Sequence, residues 1–419
     1  MFDRPYRQRL EADLAQWEAD GVITPAALAN IRVALPSLAP GTNIPVVVAI
    51  VGGLLIAAAF LAFVAAHWTD LARLVRLAIL LAGIVGAHGL GAWFARAGRP
   101  VLADLCAGVG SIIFGAGIAL VGQMYHLGGD FAGGMLLWAM GALVAAALTG
   151  SRGVLAVALV AASLWSSMRI FEIPDVPHFS FVAIWFIAAG LALAWNSRVA
   201  AHLVALAALP WWITTALQVG LEPSFVLADG AAFLFGAGLA LGVAPWQRAS
   251  SAGAVLSIYG AFSLAGVSIL EVATANDLFR THAGTVSQSL WAISSGVAGA
   301  IFAFAVATTT RRAGAAFAGI AIGLVLLAAA VWSTPQAGEP WRAYAFELCA
   351  MLCLVVSGML DSTRPRIVAG WLGIAGVIVA ITWAVKGSLL HRSMFLAVAG
   401  AVAIALSLAL NRLLPRDHE

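Results

Sequence analysis

From Pro45 onward the chain is a succession of apolar runs, each about twenty residues long and each closed by a short polar break. The runs fall near residues 46–66, 74–94, 101–123, 132–149, 153–171, 179–195, 199–218, 225–243, 252–271, 288–307, 314–332, 343–360, 367–385 and 393–412. A helix needs roughly 20 apolar residues to cross a hydrocarbon core of about 30 Å, so this pattern predicts about fourteen transmembrane helices. Several runs are short, and the pair at 153–171 and 179–195 also fits tilted or partly re-entrant segments. The apolar positions are continuous, whereas strands of a membrane barrel would alternate over about ten residues. The fold class is therefore all-α: a polytopic helical integral membrane protein with a short N-terminal helical hairpin.

Residues 1–43 are the only sizeable polar segment. Tyr6, Leu10, Leu14 and Trp17 recur at helical spacing and predict an amphipathic helix. Gly21 supplies a stop, and Thr24 followed by Pro25 reads as an N-cap with proline at the first helical position. A second helix then carries Leu28, Ile31 and Leu35 on one face, and Pro36 and Pro40 close the pair. With no apolar core and no small-residue cleavage site, the segment is not a signal peptide. It is either a solvated cap on the first span or a docking site for a protein partner. Three regions follow: this hairpin at 1–43, a membrane domain of about four spans at 44–150, and a further membrane domain of about ten spans at 151–414.

Composition agrees with that class and narrows it. Hydrophobic residues make up 62% of the chain and charged ones 10%, with a mean hydropathy of +0.99. Soluble domains have about 45–50% apolar and about 25% charged residues. The net charge of +3 does not point to nucleic acid, because the 22 basic residues are scattered between apolar runs. Their distribution orients the chain instead. Fifteen fall on the side holding both termini and seven on the other, which places both termini in the cytoplasm by the positive-inside rule. Cys106, Cys349 and Cys353 all lie within apolar runs, and neither a disulfide framework nor a metal site follows from them. No cofactor is implied.

Small residues dominate the runs, with 43 glycines in all, as expected where helices associate by close packing. The stretch GSIIFGAGIALVGQMYHLGGD, Gly110 to Asp130, is a glycine-notched apolar run that ends abruptly in polar residues. It is no phosphate loop, since it lies inside an apolar span and no basic residue follows it. Phe114-Gly-Ala-Gly-Ile-Ala-Leu120 is echoed by Phe235-Gly-Ala-Gly-Leu-Ala-Leu241. The echo joins the third and eighth spans, out of step with a seven-plus-seven repeat, and reads as convergent packing.

The charge-derived topology gathers His67, Asp70, Arg73, Arg76, Gln123, Tyr125, His126 and Asp130 at the outer membrane face. They form either a polar vestibule for a ligand or a set of interfacial anchors and helix caps. Within the spans, ionisable residues are costly and often functional. Glu347 and His88 are the candidates there, with Asp104 and Asp229 in first turns where the helix dipole favours negative charge. Glu271, Asp277, Arg280 and His282 read as a further external break.

LAQWEADGVITPAAL, then GGLLIAAAFLAFVAAHW with Arg73 and Arg76 behind it, then GSIIFGAGIALVGQMYHLGGD and Trp138 resemble the bacterial predicted membrane proteins grouped as domain of unknown function 2157. The resemblance covers roughly residues 7–150, with His67 where an asparagine is expected before the tryptophan. It implies a multi-pass protein of the bacterial inner membrane and brings no activity with it. No HExxH, GxSxG, Walker or CxxC motif occurs, so nothing marks an enzyme. The many spans and buried ionisable groups point to a transporter or channel-like role for a small molecule or ion. The other reading is a membrane assembly or sensor subunit that binds a partner through Leu10, Leu14 and Trp17 of the hairpin.

Overall fold

The structure is a computed structural model that describes residues 13–34, 72–125, 130–173, 176–218, 223–274, 286–333 and 341–384, with single positions at 10 and between 49 and 62. The described residues form helices throughout. After a helical turn pair at 13–19 come α1 (Pro25–Ala34), α2 (Arg73–Arg96), α3 (Pro100–Met124), α4 (Phe131–Thr149), α5 (Arg152–Glu172), α6 (Ser180–Ala194) and α7 (Arg198–Gln218). They are followed by α8 (Pro223–Gly242), α9 (Gln247–Thr274), α10 (Val286–Thr310), α11 (Ala313–Ser333), α12 (Trp341–Leu360) and α13 (Arg364–Ala384). Among the described residues, ten helices are long and apolar enough to cross a membrane: all but α1, α6 and α10. From the second to the thirteenth predicted run, each coincides with one of the helices α2–α13. The run at 393–412 lies outside the described residues.

Local chemistry sets the boundaries. Ser151 caps α5 by accepting from the Val154 amide at 3.1 Å, and Gly150 ends α4 in the left-handed region at φ 66°, which a side chain would strain. A two-residue link of this kind forces α4 and α5 into antiparallel neighbours. Thr24 accepts from the Ala27 amide at 3.3 Å, with Pro25 opening α1.

The chain divides into two compact units, residues 1–109 and 110–419, with the division inside α3. In the first unit α2 meets the start of α3 through Gly91, where an added Cβ would press on the Ala103 carbonyl at 3.1 Å. Leu14 is buried there, contrary to the expectation that Leu10, Leu14 and Trp17 all face outward; Trp17 alone of the last two is exposed.

In the second unit, α4 pairs with α5, and α5 and α6 lean on α7. Helix α7 in turn reaches α8 and α9. The centre is α9, which touches α6, α7, α8, α11, α12 and α13. Its core is alanine-rich: Ala232 and Phe235 of α8, Leu264 of α9, Ala303 of α10, Ile322 of α11 and Met351 of α12 belong to one buried cluster. Glycines let backbones meet. A Cβ at Gly260 would strike the Phe235 backbone, one at Gly253 the α8 backbone at Leu241 and Gly242, and one at Gly299 the Ala232 backbone. The FGAG echo does different jobs at its two sites. Gly115 makes room for the Trp138 ring, whose indole N–H donates to the Ser111 carbonyl at 2.9 Å, whereas Gly236 lies against the Gly299 backbone.

Candidate functional site

Three acids lie inside the second unit at positions where the helical periodicity calls for apolar residues. On α12 the buried stripe runs Ala343, Glu347, Ala350, Met351, Leu354. On α9 it runs Ala261, Leu264, Ala265, Ser268, Glu271, Val272, and on α8 Val226, Asp229, Ala232, Phe235. Glu347 is 0% exposed, Asp229 1% and Glu271 2%. The start of α8, the end of α9 and the start of α12 lie at the same end of the bundle, since α8 and α9 are joined by a short turn and run antiparallel. Counted along the helices, the acids sit about 5–9 Å in from that end.

The Glu271 and Glu347 side chains come within hydrogen-bonding range of each other, and the Asp229 charge acts on Glu271. The Ser268 hydroxyl donates to the Leu264 carbonyl at 3.0 Å while lying within reach of Glu347. Its single proton is thus already used, and with both glutamates ionised none of their four oxygens has a donor. Asp229 Oδ2 is likewise without one. On its other side Asp229 lies against α10, where a Cβ added to Gly296 would land on the carboxylate. Val272, Val377, Ala380 and Ile381, with Tyr344 and Leu348 beside them, seal the α13 side with apolar surface.

Other acids of this unit find cations. Asp361, in the turn before α13, binds Arg366 at 2.7 Å, and the guanidinium lies 5.7 Å from the Phe235 ring centre. Asp130, at the head of α4, pairs with Arg169, which also holds Glu172 at 2.6 Å. The first-turn amides, Gly133 foremost, together with Arg169 hold the Asp130 carboxyl below the usual carboxylate range. Among the described residues, no basic side chain stands beside the Glu271, Glu347 and Asp229 carboxyls. Nor does any group of three His, Cys, Asp or Glu among them suit a metal ion.

The residues singled out from sequence fare differently. Glu347 is buried within α12. Glu271, read as part of an external break, belongs inside α9, which continues to Thr274; Asp277, Arg280 and His282 lie outside the described residues. Asp229, read as a cap, is a buried core residue. Of the outer cluster, His67, Asp70 and His126 lie outside the described residues. Arg73 and Arg76 open α2 in the first unit, while exposed Gln123, Tyr125 and Asp130 belong to the second. Within the second unit Asp130 has Arg169 as its partner, a residue the topology had not joined to it. His88, half-buried in α2, and Asp104, in α3, belong to the first unit, and Glu347 belongs to the second. Cys106, Cys349 and Cys353 are free thiols. Glu271 was legible in principle, because extending the α9 stripe by one turn from Leu264 and Ser268 lands on it.

Comparison with protein families returns one finding that bears on the N-terminal third. Residues 15–155 match the family described as predicted membrane protein, domain of unknown function 2157. The match takes in α1 to α4 and the start of α5, and stops before the helices that carry the three acids. Comparison with curated proteins and with solved structures gives no match.

Proposed function

We propose that the chain is a proton-linked transporter of the bacterial inner membrane, with Glu271 and Glu347 as its proton site and Asp229 as a neighbouring station. The observation that carries this reading is the pair of fully buried carboxyls on two different helices, facing each other with no donor and no cation among the described residues. Two ionised carboxylates in that setting would suffer both desolvation, several kcal/mol per ion, and mutual repulsion. One proton between them removes the repulsion and supplies the missing hydrogen bond, as in other carboxyl dyads. Such a pair stays neutralised while closed and releases its proton when water reaches it. That is the behaviour alternating access needs of a coupling site.

Orientation supports the same reading. Arg248, Arg311, Arg312, Arg364 and Arg366 lie at the end of the second unit's helices opposite the acids. The positive-inside rule puts that end in the cytoplasm and the proton site in the outer half of the bilayer. The test is proton movement in reconstituted vesicles under an imposed pH gradient, with a broad solute panel. Wild type is expected to couple proton entry to uptake of a solute, Glu347→Gln to lose coupled flux at least tenfold, and Glu347→Asp to keep part of it. Absence of wild-type flux across the panel, or a Glu347→Gln protein as active as wild type, overturns the reading.

A further inference from the structure

A cavity of about 540 Å³, whose lining includes none of the three acids, is walled by α6, α7, α8 and α9. Its volume is that of a small-ligand site, for which about 300–1,000 Å³ is usual. Its chemistry is unusual for a ligand site. Three tryptophans line it, Trp185, Trp211 and Trp212, yet each indole N–H is already committed to a carbonyl of the fold. Trp185 donates to Val204 at 2.8 Å, Trp211 to His178 at 3.1 Å and Trp212 to Val226 at 2.7 Å. Ser263 supplies the only hydroxyl in the wall among the described residues. A polar molecule entering here would lose its hydration and find almost nothing in return.

The rim points to the source of the occupant. Phe186, Ile213, Leu217 and Phe233 are between 41% and 64% exposed and lie on helices α6, α7 and α8, of which α7 and α8 are long and apolar enough to span. What surrounds such a rim in the cell is hydrocarbon. We infer that the cavity takes one acyl chain of a bilayer lipid, inserted sideways from the leaflet and laid against the tryptophan faces. The inference stands independently of proton coupling, since it rests on the α6–α9 walls and not on the acids.

Gly266 provides the plug. It lines the cavity, and a Cβ built on it meets nothing within 4 Å, so a side chain can start from it without a clash at its first atom. The full-length protein would be placed in nanodiscs of phosphatidylethanolamine carrying a photoactivatable diazirine on the acyl chain, irradiated and mapped by peptide mass spectrometry. Wild type and Gly266→Ala are expected to carry carbene adducts on cavity residues of α6–α9. Gly266→Phe is expected to lose those adducts at least tenfold while adducts at exposed Leu81 and Val85 of α2 stay unchanged. If Gly266→Phe does not yield a monodisperse protein, Ser263→Phe serves as the second plug, with the same expected loss. Cavity labelling that survives the plug marks ordinary surface contact and overturns the inference. A wild-type cavity left unlabelled while α2 is labelled also overturns it, and points to a protein occupant such as a second copy of the chain.

Discussion

At the scale of single residues the second unit treats its buried polar groups in two ways, and the difference is instructive. Asp361 and Asp130 are matched by arginines, whereas the carboxyl oxygens of Glu271 and Glu347 and Oδ2 of Asp229 have no hydrogen-bond partner among the described residues. A third arrangement involves His178, between α5 and α6. Its Nδ1 shares a 2.9 Å hydrogen bond with the Ser166 hydroxyl, its ring stands edge-on to Trp165 at 4.4 Å, and its carbonyl accepts from Trp211. Burial, with the nearby Arg169 charge, holds the imidazole below its ordinary value. The sign of the linkage follows. The neutral ring contributes stability that is complete above the unfolded value of about 6.5 and is lost as the pH falls through the lower folded value. The thermal unfolding midpoint of the detergent-solubilised protein should therefore drop between pH 7.5 and pH 5, and drop less in His178→Asn. Equal slopes for the two proteins would show that His178 does not set the acid limb.

At the scale of helices, α8 and α9 are held together by absence of side chain. Gly260 rests on the Phe235 backbone, Gly253 on the Leu241–Gly242 backbone, and Gly238 on the Ser257 backbone. Gly260→Leu is expected to part the two helices, lower the unfolding midpoint by several degrees and cost more than the about 1–3 kcal/mol typical of an overpacked core, because it meets main chain that cannot rotate away. Gly190→Leu, at a position with nothing within 4 Å, should leave stability near wild type. These contacts were only half legible in the sequence. The apolar runs gave α2 to α13 to within a few residues, since hydropathy over twenty residues is a strong signal. They did not give partners, because a glycine in a span looks the same whether it faces backbone, an indole ring or lipid. The site was half legible for a similar reason. Glu347 stands inside an apolar run, near its start, whereas Glu271 lies where a run meets a polar break that begins one turn later in the structure, after Thr274. The ion pair of Asp130 with Arg169 joins residues 39 apart, which no local pattern discloses.

At the scale of the whole molecule, Arg248, Arg311, Arg312, Arg364 and Arg366 and the three buried acids lie toward opposite ends of the second unit's helices. A single cysteine at Ser362, in the turn between α12 and α13, placed in a background lacking the three native thiols, is expected to react with a membrane-impermeant maleimide only after the cell is opened. Labelling in intact cells would reverse the orientation and move the acids to the inner half. The family match ends at residue 155, before the helices that carry the acids. The glycine contacts between α8 and α9 have a mechanical consequence. With main chain against main chain at three levels, these helices have no register in which to slide, and they form one stiff lever that carries both Asp229 and Glu271. Glu347 rides on α12, outside that lever. On the proposed reading, a proton shared by the glutamates would fasten that lever to α12, and its loss would free the contact between them.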